Sequence, residues 1–470
     1  MQLEGYKDAL AAFEANTSPR AKRLANLERY VDGTQYEGLP DWFDRTVPLF
    51  KRAPCIVYQA VQTAISSNVD LVLGEGRFPA ITSHPGEDDS EFDDEQALDE
   101  ESSKLVDRFI AECVRESRFR SACRDVFASG QGCGSGIAIF GVRGGRLFTD
   151  VTKARWCEAE RDELDVVTSL AIQYPYIEEY KKPNGSWAVR CRLYRRVLDE
   201  KTDMTFLPAD ARADGVEPVW VADKKQTFAH GFGFCPVLWH RHMRGCSAAA
   251  ETDGKALHAQ VLDELRAHDF ALSQRHRAAI YAGDPQWTET GVELGSNPTG
   301  TGQIVTMPTL NGGSVTGPSQ PASSFKTGGG SGPQGSGRVK GAGEVWQYES
   351  ETTKVQLHTL PGDALKALEE HARDLRIKIQ EALSVVLLDP ESVKFAATVS
   401  GKALATLKAR QLDRCDQYRE DFGDGFIKPA ISMLLRVAVA VGASGGIKTA
   451  GIKKLLPILQ QFKEDAPEAA

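Results

Sequence analysis

Leu360-Pro-Gly-Asp-Ala-Leu-Lys-Ala-Leu-Glu-Glu-His-Ala-Arg-Asp-Leu-Arg-Ile-Lys-Ile-Gln-Glu-Ala-Leu383 is the cleanest helical pattern in the chain. Leu360-Pro361-Gly-Asp363 supplies a start. Leu365, Leu368, Ala372, Leu375, Ile379 and Leu383 then hold a three-four alternation over nearly three heptads, which predicts one helix with a continuous apolar stripe. Such a stripe is more often intramolecular core than an oligomer seam, but its setting changes the balance. Upstream, a helical pattern covers about Lys255 to Tyr281, with Leu257, Val261 and Leu265 opening its stripe, and stops at Gly283-Asp-Pro285. Between the two lies Trp287 to Tyr348, β-like and of low complexity, whose centre (Ser323 to Gly343) is dominated by Gly and Ser and has little to bury. Two long helices flanking an insertion without a core of its own predict a projecting hairpin that needs neighbours to cover its apolar face. Leu368, Leu375 and Ile379 are therefore read as subunit-interface residues.

Downstream of this helix, Asp389-Pro390 cannot comfortably continue it. Leu383 to Thr398 is too apolar for a free linker, so an ordered connection with a polar tip, Asp389 to Lys394, is expected. A long helical pattern then runs from Ser400 to about Val441. Pro429 must kink it or mark its joint, because the ring removes a backbone donor and crowds the preceding turn. Gly442 to Gly446 ends the pattern. A short tail follows, with Leu455, Leu456 and Leu459 on one helical face.

The first half reads as α+β. Ser18-Pro19 is an N-cap followed by proline at the first helical position, and Leu24, Leu27 and Val31 recur until Gly33. A second helix is expected from Pro54 to about Gly74, with Val57, Val61, Ile65 and Val69 inward. Leu105, Phe109, Ile110 and Cys113 mark another helix, and Arg118 to Ala128 a further one leading into Gly130-Gln-Gly-Cys-Gly-Ser-Gly136. The period then changes to two. Ile137 to Val142, Val166 to Tyr174, Ser186 to Val197 and Pro218 to Phe228 read as strands, with hairpin chemistry at Pro183-Asn184-Gly185. In the third of these, Trp187, Val189, Cys191 and Leu193 fall on one face, and Arg190 and Arg192 on the other.

Composition narrows the function classes. The chain has 470 residues, 41% hydrophobic and 26% charged, enough to bury more than one core. Fifty-six Lys and Arg against 65 Asp and Glu leave a formal charge of −9, the wrong sign for a protein that grips nucleic acid by neutralising phosphates over its whole surface. Met1-Gln-Leu-Glu-Gly-Tyr-Lys-Asp lacks a basic segment followed by an apolar run, and the best apolar stretch, Ala430 to Val441, is short and broken by Arg436. Neither secretion nor a membrane span is expected. Nine cysteines without a Cys-x-x-Cys read as reduced, mostly core-filling thiols in a cytosolic setting.

Each motif that invites chemistry sits in the wrong context. Gly130 to Gly136 has a helix before it and a strand after, the reverse of a phosphate-cradling loop, so it reads as a tight helix-to-strand crossing. No Gly-x4-Gly-Lys-Ser/Thr occurs, which argues against a motor ATPase. Gly442-Ala-Ser444-Gly-Gly446 matches Gly-x-Ser-x-Gly but follows a helix, where a nucleophile elbow needs a strand. Ten carboxylates between Glu87 and Glu101 could bind hard cations, yet they lack calcium-loop spacing and read as a solvated loop. His240-Arg-His242, after Phe234-Cys-Pro-Val-Leu-Trp239, could offer two metal ligands. No third can be named, so surface or interface histidines are the expectation. No catalytic residue, metal or cofactor is assigned.

The order of parts resembles the portal proteins of tailed bacteriophages, the connectors between head and tail. Short features agree with that order. Leu27-Glu-Arg-Tyr30-Val-Asp-Gly33 looks like their early Tyr-x-x-Gly element, and Phe119 to Val142 like the helix, glycine turn and strand of the wing. His230-Gly-Phe-Gly-Phe-Cys-Pro236-Val resembles the Gly-x-x-Pro-Val strand before the first stem helix. Ser400-Gly401-Lys-Ala403-Leu404 looks like the Ser-Gly-x-Ala-Leu step after the tunnel loop. The resemblance covers about Leu24 to Gly442. It implies a portal-like α+β chain: residues 1–244 as wing, 245–282 as first stem helix, and 283–358 as a small β-containing clip with the Gly/Ser-rich insertion. Residues 359–384 would be the second stem helix, 385–399 the tunnel loop, 400–442 a long kinked helix returning to the wing, and 443–470 a short tail or reduced crown. The Gly/Ser-rich stretch is long for a clip, and the tail is short for a crown.

The resemblance implies a ring, generally a homododecamer, at one vertex of the virion capsid, assembled in the host cytoplasm. Its partners would be the major capsid protein, the terminase large subunit, a head-completion or adaptor protein, and double-stranded DNA passing non-specifically, with no membrane. An acidic wall suits a channel that must not hold phosphates. In the tunnel loop, Asp389, Glu391 and Lys394 would face the DNA. Lys394 either touches phosphate transiently or is an ordinary exposed lysine. Two rival classes are a metal-dependent hydrolase using the acidic run and a non-portal structural protein of a virion.

Overall fold

Residues 135–143, Ser-Gly-Ile-Ala-Ile-Phe-Gly-Val-Arg, form strand β1, and its consecutive apolar side chains require cover on both faces. The computed structural model supplies two cores, one on each face. It describes residues 18–44, 46–74, 76–81, 100–181, 187–208, 220–243, 252–283, 286–290, 354–358, 362–385, 401–443 and 452. They divide into a larger unit (Met1–Gln35, Gln59–Leu262, Gln380–Ala470) and a smaller one (Tyr36–Tyr58, Asp263–Ile379).

In the larger unit, helices α1 (Pro19–Asp32), α2 (Ala60–Leu73), α3 (Glu100–Glu116) and α4 (Phe119–Cys133) precede β1. Ala21 donates its N–H to the Ser18 hydroxyl, Pro19 opens α1, and Gly33 closes it in the left-handed conformation, as the sequence predicts. After β1 come β2 (Arg146–Thr152), β3 (Cys157–Arg161), β4 (Val167–Lys181), β5 (Trp187–Leu198), β6 (Thr202–Pro208), β7 (Trp220–Ala222), β8 (Phe228–Ala229) and β9 (Val237–Arg241). One sheet has the order β2-β1-β9. A six-stranded sheet has the order β3-β4-β5-β6-β7, with β8 paired to β6. All of these pairings are antiparallel, and the fold is mixed α+β.

Ala138 and Phe140 of β1 enter one core with Phe119, Phe127, Phe422, Phe426, Leu434 and Val437. Ile137 and Ile139 enter the other with Leu24, Leu170, Ile172, Val237 and Trp239. Each fully buried side chain of this size contributes about 2 kcal/mol, so the first core fixes the C-terminal helix against α2–α4. That helix is α7 (Gly401–Phe422), a five-residue π-turn (Gly423–Ile427) and α8 (Lys428–Ala443). The irregularity predicted around Pro429 is this π-turn, in which Lys428 donates to the Gly423 carbonyl immediately before the proline. Ala409–Gly442 is long and apolar enough, by length and composition, to cross a membrane, more than Ala430 to Val441 alone suggested. Core helices share that property, and Ala430, Leu434, Val437 and Ala438 are fully buried in the first core.

Several boundaries differ from the sequence reading. Helix α4 continues through Gly130 and Gly132 to Cys133, because glycine lets it lie close to the His242 and Val31 side chains. Gly136 is needed for a different contact: a Cβ there would collide with the Val126 carbonyl. The helix-to-strand crossing is thus made of close approaches. Strand β2 was not foreseen. Gly144 and Gly145 both take positive φ and join it to β1 in register Arg143↔Arg146, the two-residue hairpin favoured by such a pair. Strands β3 and β6 also lie outside the four stretches expected from the sequence. The β4–β5 pairing runs to Lys181↔Trp187, which bears out a hairpin whose loop, 182–186, lies outside the described residues with the side chains of 187–192.

The smaller unit contains most of α5 (Leu262–Gly283), strands β10 (Gln286–Thr290) and β11 (Lys354–His358), and most of α6 (Gly362–Leu383). The first long helix begins at Leu262, seven residues later than expected. Before it, Lys255 donates its N–H to the His242 carbonyl and Leu257 to that of Gln131, so Leu257 and Val261 are buried by a turn and not by a helix face.

Candidate functional site

The predicted hairpin of long helices is present. Strands β10 and β11 pair antiparallel from Gln286↔His358 to Thr290↔Lys354, so the chain leaves α5, enters the insertion and returns to α6 through one two-stranded ladder. Residues 291–353, including the Gly/Ser-rich centre, lie outside the described residues. Ala271 and Leu272 of α5 pack against Ala372 and Leu375 of α6, small residues on each helix allowing close contact. Of the residues assigned to a subunit interface, Leu375 is 8% exposed and Ile379 0%, both covered within a single chain, while Leu368 is half-buried. Leu365 is half-buried as well, and Ile377, at 44%, is exposed. Arg275 and Glu369 approach to 3.5 Å at the surface, worth about 0.2–1 kcal/mol.

Asp269 organises the rest of this unit. It falls in the apolar stripe of α5 between Leu265 and Leu272, and it is buried. The Tyr36 hydroxyl donates to its Oδ2 and the Tyr58 N–H to its Oδ1, each at 2.9 Å. Ser273, one turn on, accepts the Ile56 N–H at 3.1 Å, and Arg266 donates to the Phe50 carbonyl at 3.0 Å. Trp42 rests against Phe270 with ring centroids 5.7 Å apart. The segment Tyr36–Tyr58 is therefore strapped along α5. This corrects the expected helix start at Pro54: the N–H groups of Ile56 and Tyr58 are bonded to side chains, and α2 begins at Ala60. A carboxylate inside an apolar stripe was the signal that could have found this anchor.

In the larger unit, His240 and His242 are buried, which corrects the surface reading. Their rings lie in an aromatic cluster: His240 on Phe422 at 5.1 Å, His242 on Tyr418 at 4.9 Å and on Phe127 at 5.7 Å. Burial, with His240 and Arg414 nearby, pushes the His242 pKa down to about 3, so it is neutral at pH 7. Burial also lowers His258 to about 4, although its Nε2 lies 3.2 Å from the Leu27 carbonyl. Among the described residues no group of three or more His, Cys, Asp or Glu could hold a metal ion.

Asp253 is fully buried and accepts three hydrogen bonds from Arg20 and one from Arg23. Arg20 also donates to the carbonyls of Cys157 and Ala154, and Ser135 Oγ donates to the Asp253 carbonyl. This polar knot ties α1, β1 and the β3 entry to the turn before α5. It is a structural arrangement, since every group is committed to another part of the chain.

Of the cysteines whose side chains are described, all but the exposed Cys55 are buried and chemically quiet. Burial raises Cys113, Cys133, Cys157 and Cys235 to about 12, and raises Cys123 and Cys415 too, leaving protonated thiols. Helix α8 runs to Ala443, and Ser444 lies outside the described residues. So do 87–99 of the acidic run, whose last two residues, Glu100 and Glu101, open α3. Asp389, Glu391 and Lys394, the proposed channel residues, and Leu455, Leu456 and Leu459 of the tail also lie outside them. No family model matches the chain, and no curated protein matches it in sequence.

Proposed function

We propose that this chain is a portal protein of a tailed bacteriophage, forming a ring, generally of about twelve copies, at one capsid vertex. The observation that carries the reading is the order helix, strand, long insertion, strand, helix in the smaller unit, followed by a C-terminal helix that packs back into the α+β unit through a π-turn before Pro429. In this reading α5 and α6 are the stem, β10 and β11 the base of the clip, and the larger unit the wing. The formal charge of −9 supports a wall that repels DNA and lets it slide. The tunnel loop, 385–399, would line the narrowest part, with Asp389, Glu391 and Lys394 at its tip. Terminase, the head-completion protein and the major capsid protein would bind the outside of the ring. The chain has no catalytic centre of its own in this account; DNA movement is driven by the terminase.

The experiment that tests the reading is a copy count in assembled particles. A portal gives about twelve copies per particle, all at one vertex when labelled. Hundreds of copies, or label at every vertex, would identify a different structural protein of the virion.

A further inference from the structure

The six-stranded sheet ends in two edges of opposite character. At the β3 edge, Glu158 and Glu160 are exposed, and the turn to β4 adds the exposed Asp162, Glu163 and Leu164. Leu164 is 83% exposed and Val166 52%. That turn is rigid: Asp162 accepts the N–H groups of Leu164 and Val166 at 2.9 and 2.8 Å, and the Asp165 carboxylate is held by Arg161 and Arg241.

Among the described residues the opposite edge, at β7 and β8, carries an exposed lysine pair, Lys224 and Lys225, beside Val221 (54%) and Phe228 (53%), while Lys201 is offset by the exposed Glu200. This end is ordered too. Lys225 donates its N–H to the Asp223 carboxylate, Asp223 donates to the Thr205 carbonyl, and His230 and Gly231 both donate to the Lys201 carbonyl. Lone exposed apolar residues are common, and acidic side chains on an edge strand discourage strand addition. Neither accounts for a large apolar side chain held out by a rigid turn at one edge and a matching apolar pair among lysines at the other.

We propose that these two edges bind one another between copies of this chain, Leu164 and Val166 with their carboxylates against Val221 and Phe228 with their lysines. The charges are complementary, the apolar centres match, and both surfaces are preorganised. Because the edges are different surfaces at opposite ends of one sheet, the contact is head-to-tail, and repetition gives a ring or a filament instead of a closed dimer. Closure into a ring rests on the portal reading; the edge pairing does not.

Charge reversal tests it on the full-length protein. Glu160→Lys with Glu163→Lys removes one edge, and Lys224→Glu with Lys225→Glu removes the other. Each double variant, folded by circular dichroism, should need at least about tenfold more protein to assemble. An equimolar mixture of the two should assemble again, intact edge on intact edge and reversed edge on reversed edge, and so should the fourfold reversed chain. Double variants that assemble like the parent, a mixture that stays monomeric, or a fourfold chain that does not recover would overturn the proposal. A parent that forms a ring unaffected by either reversal would remove the edge pairing and keep the portal reading. A parent that forms open chains sensitive to both reversals would keep the pairing and remove the portal reading.

Discussion

Arg20 and Asp253 are joined across 233 positions of sequence, with Arg20 Nε 2.9 Å from one oxygen and Nη2 2.5 Å from the other oxygen of a fully buried carboxylate. Removing the acid leaves Arg20 and Arg23 facing each other without their shared counter-charge. Asp253→Ala should cost about 3 kcal/mol and lower the melting midpoint by about 5–10 °C. Thermal denaturation checks this, and an unchanged midpoint would show that the knot contributes nothing.

His242 makes the larger unit acid-sensitive. Its pKa is lowered from 6.5 to about 3 by folding, so the unfolded chain takes up its proton first as the pH falls. The stability it allows is complete above about pH 6.5 and declines toward pH 3, by on the order of 3 kcal/mol between pH 7 and pH 4. His242→Leu, which cannot be protonated, should show a shallower fall of melting midpoint over that range. A fall as steep as the parent's would exclude His242 as the cause.

On α6 the two faces should respond differently. Leu375→Asp puts a carboxylate against Ala271 and Ala372, at a cost of several kcal/mol or the uptake of a proton, and should speed amide exchange along α5 and α6. Ile377→Asp, on the exposed face, should leave exchange unchanged. Equal exchange in both variants would mean that Leu375 is not packed inside the chain.

For DNA passage, Lys394→Ala should leave assembly intact and alter packaging or genome retention only moderately, since a screened lysine–phosphate contact is worth on the order of 1 kcal/mol. Deleting Asp389 to Lys394 should impair packaging or retention severely. Deletion particles that fill and hold their genome normally would remove this segment from the channel.

Features with a local cause were legible in the sequence. Ser18-Pro19 and Gly33 bracket α1 through bonds made within one turn, and Pro429 announces the π-turn because its missing donor acts on the turn before it. The paired helices were visible from periodicity alone. Features set by distant partners were not. Pro54 to Gln59 carries a helical pattern, but Asp269 and Ser273 take the N–H groups of Tyr58 and Ile56. His240 and His242 look like a surface pair until Tyr418, Phe422 and Phe426 arrive from another helix. Gly144-Gly145 is the local signal for the turn between β1 and β2.

Imaging of the purified protein decides whether the chain forms a closed ring with a channel. Rings with a central hole and a mass of about 0.6 MDa, twelve copies of a 51.3 kDa chain, are expected by electron microscopy with mass photometry. Monomers or dimers alone, over a wide range of concentration, would contradict it.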